Sequence, residues 1–120
     1  MRNDQLKTLK DFIKIRSVST QSEYLADMRM ARNFLVTLLK GVGFKTKILK
    51  GKKHDAVFAQ KILNPKFSTV LIYGHYDVQP PEPLEQWKSP PFEPTIKKNK
   101  IFARGAADNK GQFMIHVMAV

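Results

Sequence analysis

Apolar positions along the chain repeat with two different periods, and the switch between them divides the sequence. Leu6, Leu9, Phe12 and Ile13 recur at three and four residues, which predicts an amphipathic helix with Asp4 as its cap. Ser22 is placed to cap a longer helix whose stripe is Ala31, Phe34, Leu35 and Leu38, with Gly41 and Gly43 ending it. Between them, Ser17-Val18-Ser19-Thr20-Gln21 reads as a loop. Beyond Gly43 the period falls to two. Phe44-Lys45-Thr46-Lys47-Ile48 alternates as a strand with one wet face does. Ala56-Val57-Phe58-Ala59 and Val70-Leu71-Ile72-Tyr73 are short, continuously apolar runs of the kind found inside a sheet.

Six of the seven prolines then fall between Pro80 and Pro94, around Trp87 and Phe92. Proline at this density removes ladder donors and predicts an extended loop, packed down by its aromatics. A hairpin follows, Thr95-Ile96-Lys97 to Lys100-Ile101-Phe102, turning at Lys98-Asn99. The last segment, from about Asn109 to Val120, reads as a helix apolar enough to be buried nearly all round. A buried helix ending on an apolar residue leaves its final carbonyls unpartnered, so a truncated chain is the expectation. No internal repeat or low-complexity tract is present.

With 120 residues the chain is one domain at most, and 42% hydrophobic content argues against disorder. It has no cysteine, hence neither disulfides nor thiolate ligands. No apolar run approaches the roughly 20 residues that span a bilayer, and Met1-Arg2-Asn3-Asp4 opens without the apolar core of a signal peptide. A cytoplasmic location without membrane contact is the default expectation. The formal net charge is +11, with Lys45, Lys47, Lys50, Lys52, Lys53 and Lys61 facing only Asp55 over one stretch. Basic stripes attract phosphate, but aromatics at stacking spacing, zinc-finger spacing and a basic helix face are all lacking here. The lysines are therefore read as solvated strand faces and turns, with no nucleic-acid partner.

The chemistry lies in two polar motifs, each following an apolar run: Gly74-His75-Tyr76-Asp77, and Arg104 to Gly111 with Asp108 inside it. His75 and Asp77 stand two apart on an extended segment and so project to one side. A metal-binding histidine usually gives its second ring N–H to a carboxylate or carbonyl, a part open to Asp77. Asp108 opens the final helix, where the helix dipole favours a carboxylate, and a carboxylate can bridge two cations about 3.5–4 Å apart. Taken singly, the three have ordinary readings as a strand-end histidine, a turn former and a helix cap. The whole string, with its placed glycines, moves the reading toward a hydrolytic metal site.

These motifs, together with Phe12-Ile13-Lys14-Ile15-Arg16-Ser17-Val18-Ser19 and Trp87-Lys88-Ser89-Pro90-Pro91-Phe92, resemble the zinc exopeptidases and amidases. That family includes carboxypeptidase G, acetylornithine deacetylase, succinyl-diaminopimelate desuccinylase and the carnosine-type dipeptidases. The resemblance runs over essentially the whole chain. Pro80-Pro81, Pro90-Pro91 and Asn109-Lys110-Gly111 look most like the dipeptidase branch.

The resemblance implies an α/β fold with a mixed, largely parallel sheet flanked by helices, here incomplete. Residues 1–120 would be the N-terminal part of a catalytic domain, without the lid or dimerisation domain and the C-terminal half. It implies His75 as ligand of one zinc, Asp108 as the carboxylate bridging both, Asp77 as the acid that orients His75, and a cis peptide at Asp108-Asn109. The full-length parent would bind two Zn2+ per subunit, with Mn2+ or Co2+ possible occupants. It would be a homodimer that hydrolyses dipeptides or short peptides. The general-base glutamate and remaining ligands are absent from the chain, and neither His54 nor His116 replaces them. His116 is read as a packing or polar-contact residue of the final helix, and His54 as part of the lysine-rich turn. Two ligands do not complete two tetrahedral sites, so the chain alone is expected to be inactive. An N-acyl amino acid deacylase using the same site, and a noncatalytic remnant acting as a binding module, are the alternatives.

Overall fold

The computed structural model describes residues 2–120. In chain order these form α1 (Asn3–Lys14), α2 (Leu25–Gly41), β1 (Lys45–Leu49), β2 (Ala56–Gln60), β3 (Thr95–Lys97), β4 (Lys100–Phe102) and α3 (Lys110–Met118). Short 3-10 turns occupy Ser22–Tyr24 and Leu84–Gln86.

The two N-terminal helices follow the apolar stripes. Leu9, Phe12 and Ile13 are the buried residues of α1, and Met28, Ala31, Leu35 and Leu39 those of α2. Phe12 stacks flat on Phe34 with ring centroids 5.0 Å apart, and Met114 and Val117 of α3 complete the same core. Both expected caps shift. Arg2 takes the N-cap position of α1 with its N–H donated to Gln5 Oε1, so Asp4 lies in the first turn, where its charge still suits the dipole. Ser22 begins the 3-10 turn rather than α2 itself. The end of α2 is as expected, with Gly43 at φ +89°.

Strands β1 and β2 form an antiparallel ribbon in the register Lys47↔Phe58. The expected hairpin is present in full: Ile96 faces Ile101, and Lys98 and Asn99 both take positive φ. That pair of left-handed residues gives a turn whose twist matches the flanking strands. The class is α/β, as expected. Pairing among the described residues is antiparallel, and its parallel component is one bridge, Val18 to Val78.

Two expectations are corrected. Residues 70–73 are not a strand: Val70, Leu71, Ile72 and Tyr73 are 81, 87, 44 and 90% exposed and make no main-chain hydrogen bond among the described residues. An apolar run becomes an interior strand only when neighbours take up its edges and faces, and no described segment does so here. Likewise α3 is not buried all round. Lys110, Met114 and Val117 are buried while Ile115 is 61% exposed, because α1 is the helix packed against it. His116 lies on the exposed face and is not a packing residue.

The proline-rich loop is packed down as expected. Trp87 Nε1 donates to Pro81 O at 2.7 Å, and the Arg104 guanidinium lies 5.2 Å from the Trp87 ring centroid.

Candidate metal centre

The loop after α1 is what brings the two motifs together. Ser17 is fully buried; its Oγ donates to Tyr76 O at 2.6 Å and its carbonyl accepts the Val78 N–H at 2.9 Å. This short strand-like pairing fixes the backbone on either side of Asp77. From the other motif, Asn109 Oδ1 accepts the His75 N–H at 3.3 Å.

Two glycines permit the approach. A Cβ on Gly74 would stand 2.6 Å from the Phe113 ring. Gly105 has φ +80°, and a Cβ there would meet Val78 Cγ1 at 2.6 Å. Side chains at these points would push the motifs apart.

The three candidate residues converge. His75 Nε2 lies 3.0 Å from Asp108 Oδ1, and His75 Nδ1 lies 3.0 Å from Asp77 Oδ1 and 3.1 Å from the Asp77 carbonyl. Asp77 and Asp108 therefore sit on opposite nitrogens of one ring. Partial burial lowers the His75 pKa, but the hydrogen bond to Asp108 and then the contacts with Asp77 outweigh it, so the net shift is upward. A proton held on Nε2 by Asp108 occupies the position a cation would take between the two residues.

The donor set suits zinc in kind, an imidazole nitrogen and a carboxylate oxygen, but not in number. Among the described residues no group of three or more His, Cys, Asp or Glu side chains lies close enough together to hold an ion. Asp108 stands before α3 with its side chain 80% exposed. The Asp108-Asn109 peptide is cis, as the resemblance implied. Beside the pair is a cleft lined by Tyr73, Asn109, Gln112, Phe113, Ile115 and His116.

Lys110 lies within the second motif but takes no role from the sequence pattern. It is fully buried, with Nζ donating to Phe12 O at 3.0 Å and Ile15 O at 2.6 Å and lying 4.8 Å from the Phe12 ring centroid. It thus caps the C-terminal end of α1, where the dipole favours a cation. Desolvation pushes its pKa down to about 7, against the opposing pull of Asp27 and Asp77. Ser19 and His54, to which the sequence pattern gives no part in the site, join it as well: Ser19 Oγ donates to Asp77 Oδ2 at 2.5 Å, and His54 Nε2 lies 2.7 Å from Ser19 O. No local pattern marks these three. The one available signal was a lysine opening an otherwise apolar helix.

Residues 71–120 match peptidase family M20/M25/M40. Over these residues the chain is similar to the M20 family. Its fold superposes on an M20 family metallo-carboxypeptidase of Sulfolobus solfataricus with a TM-score of 0.88 and 41% identity, covering 98% of this chain and 26% of that one. Human carnosine dipeptidase 1 gives a TM-score of 0.87 at 25% identity, over 98% of this chain and 27% of that one. Succinyl-diaminopimelate desuccinylase of Thiobacillus denitrificans is 36% identical over 110 residues, 92% of this chain and 26% of that protein. The chain spans roughly a quarter of the length of these relatives. No described helix is long and apolar enough to cross a membrane.

Proposed function

We propose that the chain forms the N-terminal part of the catalytic domain of an M20 metallohydrolase that cleaves the amide bond of dipeptides or short peptides. The observation that carries this reading is the His75 ring held between two carboxylates, each at 3.0 Å. His75 Nε2 and an Asp108 oxygen would each bind zinc, Asp108 bridging to a second ion, with Asp77 orienting the ring. When bound, the metal supplies a Lewis acid for the substrate carbonyl and a water acidic enough to ionise near neutral pH. What this chain contributes is an aligned imidazole and an exposed bridging carboxylate. The general base and the remaining ligands come from the rest of the domain, and the parent enzyme, with its separate lid or dimerisation domain, is a homodimer. The 120-residue chain alone is inactive.

A deacylase reading has one observation in its favour: the sequence relative from Thiobacillus denitrificans is a desuccinylase, although Asn109-Lys110-Gly111 and the paired prolines lean toward dipeptidases.

Two measurements test the proposal. Zinc titration of the chain should show binding that is lost in His75→Ala and in Asp108→Ala, and binding in both variants equal to that of the unaltered chain rejects the site. The parent enzyme should hydrolyse dipeptides faster than N-acetyl or N-succinyl amino acids; the reverse order selects the deacylase. Peptide hydrolysis by the 120-residue chain would overturn its assignment as inactive.

A further inference from the structure

The geometry points to Ser19 as a positioning residue that aims the imidazole of His75 by holding the carboxylate of Asp77. The inference rests on reading His75 as a metal ligand and extends it outward by one layer. Asp77 has two oxygens with different tasks. Oδ1 faces His75 Nδ1 at 3.0 Å, and Oδ2 receives the Ser19 hydroxyl at 2.5 Å. A carboxylate with one satisfied oxygen can spin about its Cβ–Cγ bond. With both oxygens engaged, its plane is fixed.

The alternative acceptor is close. The main-chain carbonyl of Asp77 lies 3.1 Å from the same Nδ1. Without Ser19 the carboxylate is free to swing toward solvent, leaving the ring N–H on that neutral carbonyl alone. Charge-assisted hydrogen bonds are roughly twice as strong as neutral ones, so the loss makes Nε2 a poorer donor toward a metal.

Ser19 is itself held. His54 Nε2 contacts its carbonyl at 2.7 Å, the neighbouring Val18 bridges to Val78, and Ser17 is bonded to Tyr76 and Val78. The hydroxyl therefore acts from a fixed backbone. The relay runs from Ser19 Oγ through both Asp77 oxygens to Nδ1, with the metal-facing nitrogen on the far side of the ring.

The test uses the 120-residue chain with nitrogen-labelled histidine, in wild type, Ser19→Ala and Ser19→Thr. The Nδ1–H proton of His75 should move upfield in Ser19→Ala, as its acceptor changes from carboxylate to carbonyl, and stay in place in Ser19→Thr. Zinc affinity should fall about three- to tenfold in Ser19→Ala, equivalent to one hydrogen bond, and be retained by Ser19→Thr. Equal unfolding midpoints in denaturant for the three proteins exclude a purely structural effect. An unmoved Nδ1–H resonance in Ser19→Ala overturns the inference. The resonance is read without metal, so a wild-type chain that binds no zinc bears on the metal reading alone and still leaves the Ser19 relay decided.

Discussion

The buried ammonium of Lys110 makes stability depend on pH in a direction unusual for a lysine. Its folded pKa is about 7 against 10.5 for the free side chain, with desolvation as the leading cause. Between these values the unfolded chain holds a proton that the folded chain has released, so unfolding takes up a proton and stability rises with pH. The penalty for burying the charge is fully present below about pH 7 and is relieved as pH climbs. One proton corresponds to about 1.4 kcal/mol per pH unit, so stability should increase by about 2 kcal/mol between roughly pH 8 and 9.5. Two other groups act in the opposite sense. From pH 6.5 upward the raised pKa of His75 does so, its contribution being lost as pH climbs through the folded value. Above pH 10 the raised pKa of Tyr76, caused first by burial, does so as well.

The decisive variant is Lys110→Met. It need not unfold the chain, because Phe12 O also accepts the Ile15 N–H at 3.3 Å and Ile15 O the Ser17 N–H at 2.9 Å. Urea titrations followed by circular dichroism at several pH values should show the rise in wild type and a flat profile in the variant. A flat wild-type profile, or the same slope in both proteins, would refute the reasoning.

Two further outcomes are expected. Gly105→Ala forces an L-residue to φ +80° and a Cβ to within 2.6 Å of Val78, which is 3% exposed and has little room to yield. Denaturant unfolding should show a loss of about 2–4 kcal/mol, and a loss below roughly 0.5 kcal/mol would mean the turn relaxes freely. Zinc must displace the proton that Asp108 and Asp77 favour on His75, so zinc affinity, measured calorimetrically, should strengthen as pH rises through a value above 6.5 and then level off. Affinity that does not change from pH 5.5 to 7 would exclude His75 as the proton-linked ligand.

Local chemistry was legible wherever it acts over short range. The Lys98-Asn99 turn, the Gly43 helix end and the helix stripes all depend on neighbours within a turn or two, and each stands where the pattern placed it. The apolar run 70–73 was misread because alternation and apolarity say what a strand needs but not whether a partner exists. At the candidate site, His75, Asp77 and Asp108 were named from their motifs, and both carboxylates contact the His75 ring. The contacts of Ser19, His54 and Lys110 were not legible, because their partners lie 58, 35 and 95–98 residues away and leave no periodic trace.

The uncovered run from Val70 to Tyr73 has a consequence for the chain as a colloid. It is β-branched and aromatic, carries no charge, and presents open main-chain donors and acceptors along both edges, which together template pairing with another copy. What opposes that pairing is the formal charge of +11, the same on every molecule. Repulsion of this kind reaches only about a Debye length, which shrinks from roughly 30 Å at 0.01 M salt to 3 Å at 1 M. The chain is therefore kept apart from its copies by dilute buffer, and added salt removes that protection.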